Sequence, residues 1–207
     1  MSSNDADKEA LAILTQAVLI DDDAEIVDAL LSDNRDLLAD SDQPLLHIAC
    51  SKGALGVVTA LIRHGADVLG CDARFRRPIH CALQQSRDPT ARERILSLLL
   101  AHHAQSNDLR RIMLARDKQG KTCMHVAVSS RGSASVVQTL LDHKASPDDA
   151  PHAKFPQLRS PLVLAAMSGD AETLNVLLAA KVYVNASGAD QPVPLICAAQ
   201  NGWLVSD

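Results

Sequence analysis

The sequence predicts an all-α repeat fold, a solenoid of about six stacked helix–turn–helix units with short β-hairpin or loop fingers between them. Three observations carry this prediction. A short apolar motif recurs five times along the 207 residues. Its apolar residues fall at i, i+3 and i+4, which is helical spacing rather than the alternation of a strand. The chain is also 47% hydrophobic but only 2% aromatic, with Phe75, Phe155, Tyr183 and Trp203 as its rings. A single large core generally relies on aromatic rings, because each buries much area. Ala, Leu, Val and Ile suit short helices that approach closely.

Residues 8–42 form an acidic, degenerate first repeat, in which LTQAVLIDDDAEIVDALLSDNRDLL (14–38) supplies the apolar periodicity. The five clear motifs follow: PLLHIAC (Pro44–Cys50), RPIHCAL (Arg77–Leu83), TCMHVAV (Thr122–Val128), SPLVLAA (Ser160–Ala166) and VPLICAA (Val193–Ala199). They divide the rest into units at 43–71, 72–116, 117–154, 155–187 and an incomplete 188–207, all within a single domain spanning 1–207. Each motif opens a helix. Pro in the first turn gives up no hydrogen bond and presets φ, and Ser or Thr just before it can cap the exposed N–H groups. A second apolar helix follows in the first four: VVTALI, ILSLLL, VVQTLL and TLNVLL. Turns such as HGADV (His64–Val68) then end the unit, with Gly supplying a positive φ.

This pattern resembles the ankyrin repeat, whose motif is T-P-L-H-x-A within about 33 residues. Leu45 to Pro78 and Pro161 to Pro194 are each 33 residues apart, and Asp117–His125, DKQGKTCMH, is the best-preserved start. The steps Pro78–Cys123 and Cys123–Pro161 are longer, at 45 and 38 residues. The surplus is expected in exposed connections, where added length costs little. About five residues go to an interhelix loop around SRDPTARER, about seven to a finger in LRRIMLAR and about four to APHAKFPQ. The resemblance also implies that His47, His80 and His125, at one repeat position, make structural hydrogen bonds linking neighbouring loops.

Several function classes are disfavoured. No apolar run approaches the roughly 20 residues of a membrane span, and the acidic start MSSNDADKEA has no leader-like apolar stretch. A cytoplasmic or nuclear location is expected. The five cysteines have no CxxC spacing and are expected as free thiols. A zinc site near Cys81–His80 and Cys123–His125 would have to bridge separate repeats, so no metal is expected. No nucleophile–His–acid order, phosphate loop or HExxH is present, so no catalytic residue or cofactor is assigned. An aromatic cage for methyl-lysine is poorly supplied by Tyr183 and Trp203. The incomplete sixth repeat is expected to continue in a longer protein, because terminal repeats need a polar outer face.

Charge points to the partner. Residues 1–42 hold twelve acids and two bases, a balance of −10, while the remaining 165 residues balance at +5. Ankyrin-type partners contact the fingers and the exposed side of the first helices. At those variable positions six residues are basic and two, Asp40 and Asp190, acidic. The expected partner-binding residues are Lys52 in the second repeat, then Arg74, Arg76, Gln84 and Gln85 in the third. Arg110, Arg111 and Met113 lie in the long finger, Lys118 and Lys121 in the fourth repeat, and Arg159 and Met167 in the fifth. With consecutive fingers adjacent, the cations would form one stripe. The expected function is a non-catalytic interaction scaffold for an acidic, extended protein segment. The alternative is the regulatory or recruiting arm of a larger enzyme, such as an acyltransferase, a methyltransferase or a ubiquitin-ligase adaptor. Nucleic acid is disfavoured by the net charge of −5 and the lack of stacking rings. The acidic N-terminal segment could recruit a basic partner or fold back on the basic face.

Overall fold

The computed structural model describes residues 3–21, 23–33, 38, 45–84, 88–102, 108–130, 134–148, 154–155, 157–184 and 193–200. Among the described residues the regular elements are all helical and no strand occurs. The chain divides into two compact units, 1–102 and 103–207.

In the first unit α1 (Ser3–Gln16) continues through a wider π-type turn at Ala17–Asp21. It is followed by α2 (Ala24–Asp33), α3 (Leu45–Lys52), α4 (Leu55–Arg63), α5 (Pro78–Gln84) and α6 (Pro89–His102). First helices stack on first helices, α3 on α5, and second on second, α2 on α4 and α4 on α6. Leu14, Val18, Val27 and Leu31 are fully buried, so the degenerate repeat is packed as the others are. In the second unit α7 (Asp108–Leu114) precedes α8 (Cys123–Val128), α9 (Ala134–Asp142), α10 (Pro161–Ser168), α11 (Ala171–Ala179) and α12 (Pro194–Gln200). Here α8 packs on α10 and α10 on α12, while α9 packs on α11. Met167 and Leu174 pack against a cluster of Val163, Ala166, Cys197 and Ala198. One helix pair leaves an apolar face uncovered, and repeated stacking covers it.

The caps explain the boundaries. The Thr122 side chain accepts from the third helical N–H of α8, and the His125 ring accepts in turn from the Thr122 N–H. Ser160 accepts from Val163 N–H at 3.4 Å ahead of Pro161, and Asp170 accepts from Thr173 N–H at 3.0 Å. The second helices end in left-handed residues: Gly65 (φ +90°) after α4, but Lys144 (φ +65°) after α9 and Lys181 (φ +59°) after α11. Ala66 N–H reaches the Leu61 carbonyl at 2.9 Å, and Ala145 N–H reaches Leu140 at the same distance. The turn is therefore the same with and without glycine.

Two of the expected exposed insertions are folded into helices instead. The residues around SRDPTARER do not lengthen a loop alone. Asp88 caps Thr90 and Ala91 N–H at 2.9 and 3.2 Å, Pro89 takes the first turn, and α6 runs for 14 residues where α4, α9 and α11 have 9. Arg92, on the added turn, is 1% exposed. Leu109–Leu114 of LRRIMLAR likewise fall in α7, which packs on α8 and whose Ile112 and Met113 are buried. In each case Leu, Ile or Met side chains, or an arginine stem, gain more by covering the stack than by hydration. Of APHAKFPQ, only Lys154, Phe155 and Gln157 are among the described residues.

Candidate functional site

The fingers before α5 and α8 are built alike. Asp72 N–H donates to the Arg76 carbonyl at 3.0 Å and Phe75 N–H to the Asp72 carbonyl at 2.9 Å. Asp117, Lys121 and Gly120 repeat both bonds at 2.9 Å. The Asp72 carboxylate accepts from Arg74 and Arg76 N–H at 2.9 Å each, and Asp117 accepts from Gln119 and Lys121 N–H at 2.8 Å each. One aspartate thus folds each finger tip by satisfying two backbone donors. The tip before α10 keeps the Leu158 N–H to Phe155 carbonyl bond at 3.0 Å, without an aspartate.

Of the repeated histidines, His47 reaches the next finger, while the Nδ1 bonds of His80 and His125 close the start of their own helices. His47 Nε2–H donates to the Arg76 carbonyl at 2.9 Å, joining α3 to the next finger. His80 Nδ1 accepts from Arg77 N–H at 3.2 Å, and His125 Nδ1 lies 2.8 Å from the Thr122 hydroxyl. All three rings are buried. Burial pushes His47 below the ordinary histidine range, against the bond to Arg76 that raises it. Such rings hold loops and leave no lone pair facing solvent. Among the described residues no three His, Cys, Asp or Glu side chains converge as metal ligands would.

The expected binding residues separate into two kinds. Arg74 and Lys118 are exposed at their finger tips, Lys121 is half-buried beside Lys118, and Lys52 is exposed at the end of α3. Arg110 and Arg111 are exposed on α7, where Arg111 pairs with Asp108 at 3.0 Å. These side chains reach solvent. Arg76 is engaged inside the fold: it pairs with Asp72 at 2.6 Å, and its Nη1 donates to Gln84 Oε1 at 2.9 Å. Burial raises the Asp72 carboxyl, but the bonds from the Arg76 side chain and the Arg76 and Arg74 N–H groups outweigh it and hold it low. Met113 is 5% exposed, with its sulfur 3.6 Å from the Cys123 thiol, so it belongs to the core and leaves the candidate surface. Its neighbour Leu114, 52% exposed, is the accessible apolar residue there. The Arg159 guanidinium lies on the Met167 sulfur, and both are half-buried. Gln84 is exposed, and Gln85 lies outside the described residues.

Composition alone does not single out Phe75. It occupies the place of Gly120 in the matching finger and is 59% exposed at φ +57°. Aligning the two tips, DARFRR against DKQGKT, would have exposed the exchange.

The helix pairs, the stacking of like helices and the Asp-folded fingers define a class of repeat proteins. Residues 14–109 match the profile described as ankyrin repeats (3 copies), and residues 119–152 match that of the ankyrin repeat. The chain belongs to the ankyrin repeat family. It is 28% identical over 146 residues to the ankyrin repeat protein nuc-2 of Neurospora crassa, covering 70% of this chain and 12% of that protein. It is 26% identical over 157 residues to a transient receptor potential cation channel subfamily A member 1 homolog of Caenorhabditis elegans, covering 75% of this chain and 12% of that one. The chain thus spans a small part of the length of both relatives. Ankyrin repeats are generally protein–protein interaction modules, and typically not catalytic. Among the described residues no helix is long and apolar enough to cross a membrane.

Proposed function

We propose that this chain binds an acidic, extended segment of another protein through its finger tips and the exposed side of its first helices, without catalysing a reaction. The observation that carries the reading is the placement of Arg74 and Lys118. Both are exposed cations on tips whose backbone is already folded by an aspartate, so neither charge is needed to form the turn. Rim cations of this kind speed encounter with an acidic partner and set specificity more than they add affinity. Lys121 adds charge beside Lys118 on the same finger, and Lys52 adds charge at the end of α3 in the first unit. Cytoplasm or nucleus is the compartment this reading fits.

The test is charge reversal with an internal control. A triple Arg74→Glu, Lys118→Glu, Lys121→Glu variant should melt close to the parent, since surface changes away from special features usually stay within about 0.5 kcal/mol. Its binding to a fluorescein-labelled polyglutamate peptide should fall sharply, and parent binding should weaken with salt. Arg76→Glu is the control: it places a carboxylate against Asp72 and removes the Gln84 bond, and should destabilise by about 1–3 kcal/mol. Parent-like binding by the triple variant would remove these cations from the site.

A further inference from the structure

The tip before α5 needs a residue in the left-handed region at position 75, as its twin does at Gly120, where φ is +82°. Glycine meets that need without a steric penalty, whereas a bulky side chain there is a genuine outlier. Position 75 nevertheless carries phenylalanine at φ +57°. In the α8 finger the space left by the missing Cβ is used. A Cβ on Gly120 would lie 2.4 Å from Phe155 Cγ and Cδ2, so the ring rests on the glycine. The α5 finger reverses the arrangement: the ring grows out of the tip itself and stays 59% exposed.

Phe75 is therefore unfavourable twice over, through its backbone conformation and through the hydration of its ring, with little burial in return. Strain of this kind concentrates at ligand clamps, where surrounding structure over-determines the conformation. The surroundings are rigid. Asp72 accepts from the N–H groups of Arg74 and Arg76, His47 holds the Arg76 carbonyl, and Arg77 bonds the Leu69 carbonyl. Arg74, the preceding residue in the chain, is the exposed cation of the tip.

We infer that Phe75 is an aromatic anchor for a protein partner, seating an apolar side chain of an extended segment whose flanking acidic residues meet Arg74. This rests on the acidic-partner reading above and adds the apolar half of the recognised motif. A ring held on a rigid turn loses little conformational freedom on binding. Aromatic and arginine side chains are the residue types that concentrate interface energy. The arrangement selects acidic segments interrupted by leucine, methionine or phenylalanine over uniformly acidic ones.

The experiment uses the full 207-residue chain and two labelled peptides, one alternating Glu and Leu, the other Glu and Ser, read by fluorescence anisotropy. The parent should prefer the Glu–Leu peptide. Phe75→Gly should raise the melting midpoint by a few degrees while cutting Glu–Leu affinity about tenfold, the scale of a lost anchor. It should leave Glu–Ser binding unchanged. Phe75→Ala, which keeps the strained backbone and loses the ring, should lose the preference without the gain in midpoint. A Phe75→Gly chain that keeps the preference, or melts lower than the parent, overturns the inference, as does a parent that binds both peptides alike. If the triple charge-reversed chain binds both peptides as the parent does, or the parent binds neither, the acidic-partner reading falls, and the anchor with it. Loss through the charges but not through the ring removes the anchor alone.

Discussion

Gly120→Ala probes how far the α8 finger depends on a residue without a side chain. Two effects add at this position. The backbone sits at φ +82°, and holding a non-glycine residue in the left-handed region costs about 1–2 kcal/mol. The new Cβ would also stand 2.4 Å from two Phe155 ring carbons and 2.9 Å from a third. The ring must move, and displacing a packed side chain costs about 1–3 kcal/mol. A loss of about 2–5 kcal/mol is expected. Gly65→Ala is the reference. It has φ +90° but nothing within 4 Å of the added carbon, so it should lose only the backbone part. Urea unfolding followed by far-UV circular dichroism measures both. Phe155→Ala in the Gly120→Ala background should recover the difference between the two glycine sites, as a coupling in a double-mutant cycle. If Gly120→Ala cost no more than Gly65→Ala, or if removing the ring recovered nothing, the close packing of Phe155 on Gly120 would be refuted.

Lys144→Gly and Lys181→Gly each place glycine where φ is already +65° or +59°. Each should stabilise by about 0.5–1 kcal/mol in the same unfolding assay, the left-handed penalty less the extra entropy of glycine. In the native protein a thiol reagent should label Cys71, which is exposed, well before Cys50, Cys81, Cys123 and Cys197, which are buried. Burial pushes Cys81 up to about 11 and raises Cys50 further still, so the two stay protonated at neutral pH as well as shielded. The depressed His47 sets a pH dependence: below about pH 6.5 the unfolded chain binds a proton that the folded ring resists. Its contribution is present above that value and lost as pH falls towards the folded value. His47→Gln should therefore flatten the decline in unfolding free energy just below about pH 6.5, ahead of the range near 4 where carboxylates titrate. An equal slope in parent and variant would contradict the burial argument.

The repeat motifs were legible because each residue type answers a local need. Pro161 and Ser160 start a helix, Gly65 ends one, and Leu and Val at helical spacing mark the face that stacks. Asp117 and Gly120 make the finger readable in the same way. Two of the three insertions depart from the expectation, because length alone does not say whether added residues hydrate or fold. Asp88 and Pro89 are a cap and a first turn in plain sight, yet only the apolar and arginine side chains beyond them, finding a surface to cover, turn 14 residues into a single helix.

The sequence by itself determined the repeat class, the positions of the first helices and the sign of charge at the finger tips. These follow from hydrogen bonds and capping within a few residues, which chemistry and spacing specify. The tertiary structure alone decided which of the expected binding residues are exposed. Arg74 and Arg76 are two positions apart and of one type, but the backbone turn aims one at solvent and the other at Asp72 and Gln84. Met113 and Leu114 are adjacent, and the helix they share buries the first and exposes the second. Phe75 reads as one more apolar residue until its left-handed backbone and open ring are seen together. Exposure depends on the direction in which a turn or helix aims each side chain and on what packs there, and neither is a property of the residue type.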